Sequence, residues 1–291
     1  MIENTLKEYS LLIEKRIDEI FPERNTEYKK VIDAARYSLL LCGKRIRPVL
    51  MLEFCKLCGG KMEDAIDFAI ALEMIHTYSL IHDDLPCMDN DDLRRGKPSC
   101  HIKYGEDIAL LAGDTLLTTA FSVAANANVS DDKKVKAISV LAKRAGANGM
   151  IGGQVMDLDF EVNKPDINSL RVMYLRKTGA LLSAAAEIGA IIAGADENTI
   201  QTAANYALNV GLAFQIIDDI LDITGDEKTL GKPIGSDLEN DKTTFVSLVG
   251  MEKAKAKAEM LTKEAIGLLD LIGGDTEFLK ELTLFLLDRN Y

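Results

Sequence analysis

The sequence has few of the residues on which several common kinds of site depend. It contains three histidines and five cysteines among 291 residues. An odd number of cysteines without a secretory signal argues for reduced thiols and against a disulfide framework. Cys55 and Cys58 have the spacing of a redox or zinc motif, but no second pair accompanies them, so we expect buried structural thiols. Three histidines are too few to suggest a His-Asp phosphohydrolase.

Several nucleotide-binding and hydrolase motifs are also missing. No Gly-x-Gly-x-x-Gly follows a strand pattern, and no Gly-x-Ser-x-Gly is present. Residues 225–232 differ from a P-loop by one residue of spacing, and Pro233 stands where a P-loop has serine or threonine. No apolar run near the ~20 residues needed to cross a bilayer is evident, and the N-terminus lacks the apolar core of a signal peptide. These absences predict a soluble, cytoplasmic protein without stable membrane association.

Basic residues are in the minority, and the formal net charge is −12. A surface of this sign repels nucleic acid and anionic membranes, so we expect neither as a partner. An anionic substrate would have to be held by local cations or by a metal against this field.

Alternating apolar and polar residues, the pattern of half-buried strands, are almost absent, whereas helical periodicity runs through the chain. Leu6, Tyr9, Ile13, Ile17 and Ile20 show the three- and four-residue spacing of one helix face. No composition shift divides the chain, so we predict a single all-α domain, 1–291, with ten or more helices. The predicted helices cover about residues 4–21, 26–42, 46–58, 62–83, 104–126, 131–146, 149–161, 167–194, 197–223, 241–250, 252–271 and 275–289.

Two of these helical runs, 66–81 and 203–223, are apolar on nearly every face, which is typical of interior helices. Each run ends in three aspartates, which are Asp83, Asp84 and Asp89 for the first and Asp218, Asp219 and Asp222 for the second. Pro86 is expected to break the first helix and let Asp89 fold back toward Asp83. Crowded carboxylates repel one another, and a hard cation with oxygen ligands removes that penalty. The pattern predicts a metal–diphosphate site at the mouth of an apolar cavity.

Cationic residues near these clusters complete such a site. They are Lys44, Arg47, Arg94, Arg95, Lys177, Lys232 and Lys242. The first two lie at the predicted start of a helix, where backbone N–H groups favour anions, and the guanidinium fork of arginine suits phosphate oxygens. As a set beside two acidic clusters, these cations indicate diphosphate ligands.

On these motifs the chain resembles the trans-isoprenyl diphosphate synthase family. Residues 73–86, continuing to His101, resemble the first aspartate-rich motif of that family, and residues 214–222 resemble the second. The segments 43–48, 177–179 and 231–242 also match, in the expected order. The resemblance covers nearly the whole chain and is strongest to the bacterial farnesyl diphosphate synthase type.

The resemblance implies a polyprenyl synthetase domain with the isoprenoid synthase fold, all-helical around a central cavity, and a homodimer. It implies Mg²⁺, with three ions when the allylic diphosphate is bound. It further implies a prenyltransferase that joins isopentenyl diphosphate head-to-tail to dimethylallyl or geranyl diphosphate. Farnesyl diphosphate is then the expected product, with pyrophosphate released.

The resemblance also implies roles for individual residues, carried over by motif. The metal ligands are Asp83, Asp84, Asp89 and Asp218, supported by Asp219 and Asp222. The allylic substrate is bound by Arg94, Lys177, Thr178, Gln215, Lys232 and Lys242, and Thr178 and Gln215 face the carbocation. Isopentenyl diphosphate is bound by Lys44, Arg47, His76 and Arg95. Residues 225–237 are expected to form a lid that excludes water.

A bulky residue must limit the product length, because each added isoprene unit buries five more carbons. A longer prenyl chain therefore binds more tightly, by about 0.8 kcal/mol per methylene. Tyr78 lies five residues before Asp83, about 7.5 Å down the helix, and the family resemblance assigns chain-length control to this neighbourhood, Tyr78 with Ser79. Replacing Tyr78 by alanine is expected to give products longer than fifteen carbons. A packed aromatic without such a role remains the alternative.

Other functions stay open at this point. A geranylgeranyl diphosphate synthase would use the same chemistry for one more cycle. A class I terpene cyclase resembles this chain less, because its second motif is expected to contain Asn, Ser and Glu. A non-catalytic prenyl synthase subunit typically loses part of an acidic cluster, whereas this chain keeps both. A helical scaffold with an acidic surface would release no pyrophosphate.

Overall fold

The computed structural model describes residues 2–41, 43–224 and 242–287, and it confirms the all-α prediction. In chain order the elements are α1 (Ile2–Ile20), α2 (Lys29–Leu39), α3 (Ile46–Leu57), α4 (Met62–Asp83), β1 (Leu93–Arg94), β2 (Lys97–Pro98), α5 (Cys100–Tyr104), α6 (Glu106–Asn126), α7 (Asp131–Ala145), α8 (Met150–Val162), α9 (Ile167–Tyr174), a π-helical segment (Leu175–Gly179), α10 (Ala180–Ala193), α11 (Glu197–Thr224), α12 (Phe245–Val249), α13 (Met251–Ile272) and α14 (Glu277–Leu287).

Several boundaries differ from the sequence prediction for identifiable reasons. The predicted helix 104–126 begins two residues later, at Glu106, because Gly105 has φ +94° and separates α6 from the short, unpredicted helix α5. The predicted helix 167–194 is interrupted by the π-helical segment. The antiparallel hairpin of β1 and β2 was not predicted. Its two central residues, Arg95 and Gly96, both have positive φ, which is the backbone of a type I′ turn.

The predicted interior helices do lie in the core. In α4, most residues from Ala65 to Ile81 are buried, and so are most residues from Ala203 to Ile216 of α11. Helix α10, which was not predicted to be interior, is buried along residues 180–192. Small residues let these helices pack closely. A Cβ at Gly189 of α10 would overlap the carbonyl oxygen of Met51 in α3, and a Cβ at Gly211 of α11 would lie 2.8 Å from the Cα of Gly179. The second of these contacts brings α11 against the π-helical segment.

Helix α6 departs from one sequence-based expectation. By length and composition alone it is apolar enough to cross a membrane, and 33% of its most apolar stretch is buried. The expectation that no apolar run approaches that length was therefore wrong for α6. Its outward face exposes large apolar side chains, among them Leu110 and Leu111.

Candidate active site

Asp83 is the last residue of α4, and the chain turns back directly after it. The backbone N–H of Asp89 donates to the carbonyl oxygen of Asp83 at 2.9 Å, so the fold-back expected from Pro86 is present. Burial raises the pKa of Asp83 to about 6, and the negative charges of Asp89 and Asp157 add to the rise, while Lys177 opposes it. A half-buried carboxylate that faces other carboxylates favours a bound cation.

Asp84, next to it, is fully buried and already has a cationic partner. The guanidinium of Arg94 donates to it from Nε at 3.0 Å and also from Nη2. Burial raises the pKa of Asp84, although Arg94 opposes that shift. The two residues were predicted to bind metal and allylic diphosphate respectively, and both assignments stay predictions. In this structure the pair ties the β1–β2 hairpin to the end of α4.

Helix α8 supplies two side chains to the first cluster. Gln154 donates an N–H to Asp83, and Asp157 pairs with the Lys177 ammonium at 2.6 Å. Burial alone would lower the pKa of Lys177, but Asp157 and Asp83 outweigh it and raise the pKa. Lys177 is therefore a cation held beside the first aspartate cluster, as a diphosphate ligand would have to be.

Asp218 and Asp219 of the second cluster, on α11, line a cavity of about 190 Å³. The cavity is lined by Asp157, Lys177, Thr178, Gln215, Asp218, Asp219 and Lys242, together with apolar side chains of α8 and α9. Thr178 donates its hydroxyl hydrogen to the Gln215 Oε1 at 2.6 Å. The structure thus brings together the predicted site residues of the π-helical segment and of α11.

Asp219 has a structural part in this wall. One of its carboxylate oxygens accepts hydrogen bonds from the Tyr174 hydroxyl at 2.8 Å and from the backbone N–H of Phe245 at 2.6 Å. The second bond anchors the beginning of α12, three residues after Lys242. Asp222 is also buried. Lys232 and the predicted lid, residues 225–237, lie outside the residues that the structure describes.

A second group of predicted ligands lies beside the C-terminal half of α4. The Arg47 Nη1 is 3.1 Å from the His76 Nε2. Burial and the charge of Arg47 lower the pKa of His76 well below its usual range, so the ring is neutral near pH 7 and accepts from Arg47. Arg95 donates to the carbonyl oxygen of Leu41 at 3.0 Å. Lys44 lies over the Phe285 ring of α14, 4.6 Å from its centroid.

The family model described as polyprenyl synthetase matches residues 28–270. The chain belongs to the polyprenyl synthetase family. Its members are trans-isoprenyl diphosphate synthases, as the motifs predicted, and prenyl transfer is the chemistry that the family shares.

The similar proteins include both curated relatives and solved structures. A geranylgeranyl diphosphate synthase from Cyanophora paradoxa is 49% identical over 264 residues, which cover 89% of this chain and 87% of that protein. A geranylgeranyl pyrophosphate synthetase from Pyrococcus horikoshii superposes with a TM-score of 0.92 at 34% identity, covering 99% of this chain and 98% of that one. A geranyltransferase from Helicobacter pylori, complexed with magnesium and isoprenyl diphosphate, has a TM-score of 0.82 at 34% identity, with 97% and 96% covered.

The prediction of farnesyl diphosphate as the product is wrong on this comparison. Relatives at 44–49% identity are geranylgeranyl diphosphate synthases, and the alternative with one more cycle is better supported. One of these relatives is the large subunit of a heterodimeric enzyme. The matched motifs resemble those of the trans-isoprenyl diphosphate synthase family as a whole, so a match to them does not encode the product length.

Sequence reasoning missed three side chains of this polyprenyl synthetase site, namely Gln154, Asp157 and Tyr174. A signal for the first two was present in the glycine pair Gly152-Gly153, which is unusual inside a helix. A Cβ at Gly153 would overlap the backbone nitrogen of Lys177, so α8 needs glycine there to approach the π-helical segment. Nothing in the sequence pattern singled out Tyr174.

Proposed function

We propose that the protein is a geranylgeranyl diphosphate synthase that condenses isopentenyl diphosphate with an allylic diphosphate until the chain has twenty carbons. The observation that carries the proposal is a cavity lined by Lys177, Thr178 and Gln215 together with Asp218 of the second aspartate cluster. The charge of Lys177 also acts on Asp83, at the end of α4, and so links this cavity to the first cluster. Identity of 44–49% to geranylgeranyl diphosphate synthases supports the product length.

Magnesium fits the donor set. Within residues 2–41, 43–224 and 242–287, no three carboxylate, imidazole or thiol groups converge into a site that would hold a metal by itself. Magnesium is commonly held by one or two carboxylates together with substrate phosphates, so such a site forms only with the diphosphate. Asp83, Asp89 and Asp218 would then be ligands, with three ions as the proposed number. Asp84 can join them because a carboxylate paired with arginine keeps further lone pairs.

The reaction requires that a carbon–oxygen bond break and leave an allylic carbocation and pyrophosphate. Bound magnesium would neutralise part of the charge on the departing oxygens. Lys177 and Lys242 line the cavity and add positive charge to the same oxygens. The Thr178 hydroxyl donates to Gln215, so oxygen lone pairs of both groups remain to face the carbocation. Pyrophosphate accepts the proton lost after the alkene attacks, and no protein base is needed.

Isopentenyl diphosphate is assigned to the cations beside α4. Lys44, Arg47 and Arg95 would contact its phosphate oxygens, and His76, neutral and bonded to Arg47, would orient that guanidinium. Burial lowers the pKa of Arg47 to about 10, which still leaves it charged at neutral pH.

Tyr78 and Ser79 are proposed to limit the product. Tyr78 is buried in α4, and its hydroxyl has no hydrogen-bond partner among the residues that the structure describes. A buried phenol ring of this kind would block further growth of an apolar prenyl chain. Ser79 donates to the carbonyl oxygen of His76 at 2.8 Å and so presents little polarity to such a chain.

A homodimer is proposed through α6. Its exposed face carries Leu110 and Leu111, which are 47% and 52% exposed, on a helix with high mean hydropathy. A face of this kind typically marks an interaction surface. Light scattering should give the mass of two chains, and Leu111→Asp should give the mass of one. A monomeric wild-type protein would contradict this arrangement. The cytoplasmic location stays a prediction.

The experiment that tests the function is product analysis. The protein is incubated with magnesium, isopentenyl diphosphate and, separately, dimethylallyl, geranyl or farnesyl diphosphate. Released pyrophosphate is measured, and the products are dephosphorylated and separated by chromatography. A twenty-carbon alcohol from all three starters is expected. Absence of pyrophosphate release would overturn the prenyltransferase proposal, and a product that ends at fifteen carbons would overturn the proposed length.

A further inference from the structure

Arg45 stands between two proposed ligands of isopentenyl diphosphate, Lys44 and Arg47, but its side chain has a different environment. The side chain is 0% exposed, whereas Lys44 is exposed. Its backbone has φ 48° and ψ 35°, the left-handed conformation, directly before α3 begins. A bulky residue without glycine's freedom rarely adopts this conformation, and surrounding contacts must hold it there.

The contact that holds Arg45 is a buried ion pair with α4. The Nη1 atom lies 2.9 Å from the Glu73 Oε1, and Glu73 is 2% exposed. Glu14 of α1 is a more distant partner, 3.7 Å from Nη2. Within the described part of the chain, neither Nε nor Nη2 makes a hydrogen bond. A buried ion pair with unsatisfied donors is a poor source of stability, because desolvation of the charges offsets their attraction. The effect of the Arg45–Glu73 pair on the position of the chain is therefore more informative than its contribution to stability.

The position of the chain is fixed by two neighbouring contacts, the Arg45–Glu73 ion pair and the Arg47–His76 contact. Glu73 and His76 are three residues apart on α4, so they share one face of the helix. Arg45 bonds to Glu73, and Arg47 bonds to His76 at 3.1 Å. Two neighbouring contacts therefore fasten the start of α3 to the helix that ends in Asp83.

We propose that the Arg45–Glu73 ion pair is a positioning device for isopentenyl diphosphate. It fixes the left-handed turn so that Lys44 and Arg47 stand on either side of a residue that itself points into the protein. The pair does not touch substrate, and it acts through the two cations that do. This assignment rests on the proposed function, in which those cations bind the second diphosphate.

The test is a comparison of the two Michaelis constants. Arg45→Lys keeps a charge but loses the planar fork, and Glu73→Gln keeps the size and one acceptor oxygen. Each is expected to raise the KM for isopentenyl diphosphate by at least about tenfold, the effect of a misplaced charged contact. The KM for farnesyl diphosphate should change by less than about twofold, since its proposed ligands lie on other elements.

A third variant guards against loss of folding. The double change Arg45→Met with Glu73→Met removes both charges and keeps side-chain volume, which buried ion pairs often tolerate. It should fold, with a melting temperature near that of the wild type, and still show the raised KM for isopentenyl diphosphate. Wild-type values of that KM in the double variant would overturn the proposal.

Arg16 offers a matched control, because it also pairs with α4, through Asp67 at 2.9 Å. Arg16→Gln should leave both Michaelis constants unchanged. A general role in stability would instead lower the melting temperature in the Arg45 variants and move both constants together, and that result would contradict positioning. If the wild-type protein released no pyrophosphate, the proposed function would fail first, so the two failures are distinguishable.

Discussion

The Tyr78 ring stands edge-on to the imidazole of His82, with the ring centroids 5.7 Å apart and the planes at 72°. The His82 Nε2 is 3.0 Å from the carbonyl oxygen of Leu110, so the imidazole is bound between α4 and α6. A Cβ at Gly113 of α6 would overlap that imidazole. Tyr78 is therefore held by a neighbour that has itself little room to move.

Replacing Tyr78 by alanine should lengthen the product beyond that of the wild type. The change removes a buried aromatic wall, and each additional isoprene unit then gains burial worth several kcal/mol at about 0.8 kcal/mol per methylene. Chromatography of dephosphorylated products measures the shift. Tyr78→Phe is the control, since it removes only an unpartnered hydroxyl and should keep the wild-type length. An unchanged product in Tyr78→Ala would exclude Tyr78 as a length determinant.

Asp83→Asn should have opposite effects on activity and on stability. Turnover at saturating magnesium should fall by orders of magnitude, because a proposed metal ligand loses its charge. In the metal-free protein, however, the pKa of Asp83 is raised by burial to about 6. The folded state then binds the proton more tightly than the unfolded chain, and ionised Asp83 costs folding free energy.

The variant should therefore be more stable than the metal-free wild type by about 1 to 3 kcal/mol above pH 6. The gain should shrink as the pH falls from about 6 toward 4 and vanish below the unfolded pKa near 4, where the wild-type carboxyl is protonated in both states. Urea unfolding at several pH values measures the difference. A variant that is less stable than wild type at pH 7.5 would contradict the assignment of Asp83 as a strained carboxylate.

Asp219→Asn should weaken the allylic site without any change in a ligand proposed to touch substrate. The carboxylate accepts from Tyr174 and from the Phe245 backbone, and its loss should release the start of α12 and with it Lys242. We expect the KM for the allylic diphosphate to rise about tenfold, as for the loss of a charged hydrogen bond. Tyr174→Phe, which removes one of the two bonds, should have a smaller effect. A lower melting temperature with unchanged kinetics would assign Asp219 to folding alone.

Two glycine substitutions should separate close packing from helix propensity. Gly189→Ala places a methyl group against Met51 and within 3.0 Å of the backbone nitrogen of Cys55, and should destabilise the protein by about 1 to 3 kcal/mol. Gly267→Ala, in α13, meets no atom of the described residues within 4 Å and should stabilise the protein by about 0.5 to 1 kcal/mol. Thermal unfolding of both variants measures the contrast. Equal effects would show that α3 and α10 are not packed as closely as described.

Sequence patterns predicted the parts of the fold that depend on local chemistry. The apolar runs gave the interior position of α4 and α11, and Pro86 gave the turn that returns Asp89 to Asp83. Hydrophobic periodicity does not predict which distant helices pack together. The packing of α8 against the π-helical segment, which brings Gln154 and Asp157 to the site, was therefore not predicted. Product length was predicted wrongly for a related reason. It depends on the space that several helices leave between them, whereas the motifs describe only the reacting end.

The π-helical segment Leu175–Gly179 places neighbouring residues on opposite walls, since Lys177 pairs with α8 and Thr178 with α11. Backbone contacts with Gly153 and Gly211 press on the segment from both sides. In the proposed function, the leaving oxygens and the carbon that becomes positive would therefore be contacted from adjacent positions of one closely packed turn. Because backbone packing fixes that turn, the distance between the two contacts would be the same for every allylic starter.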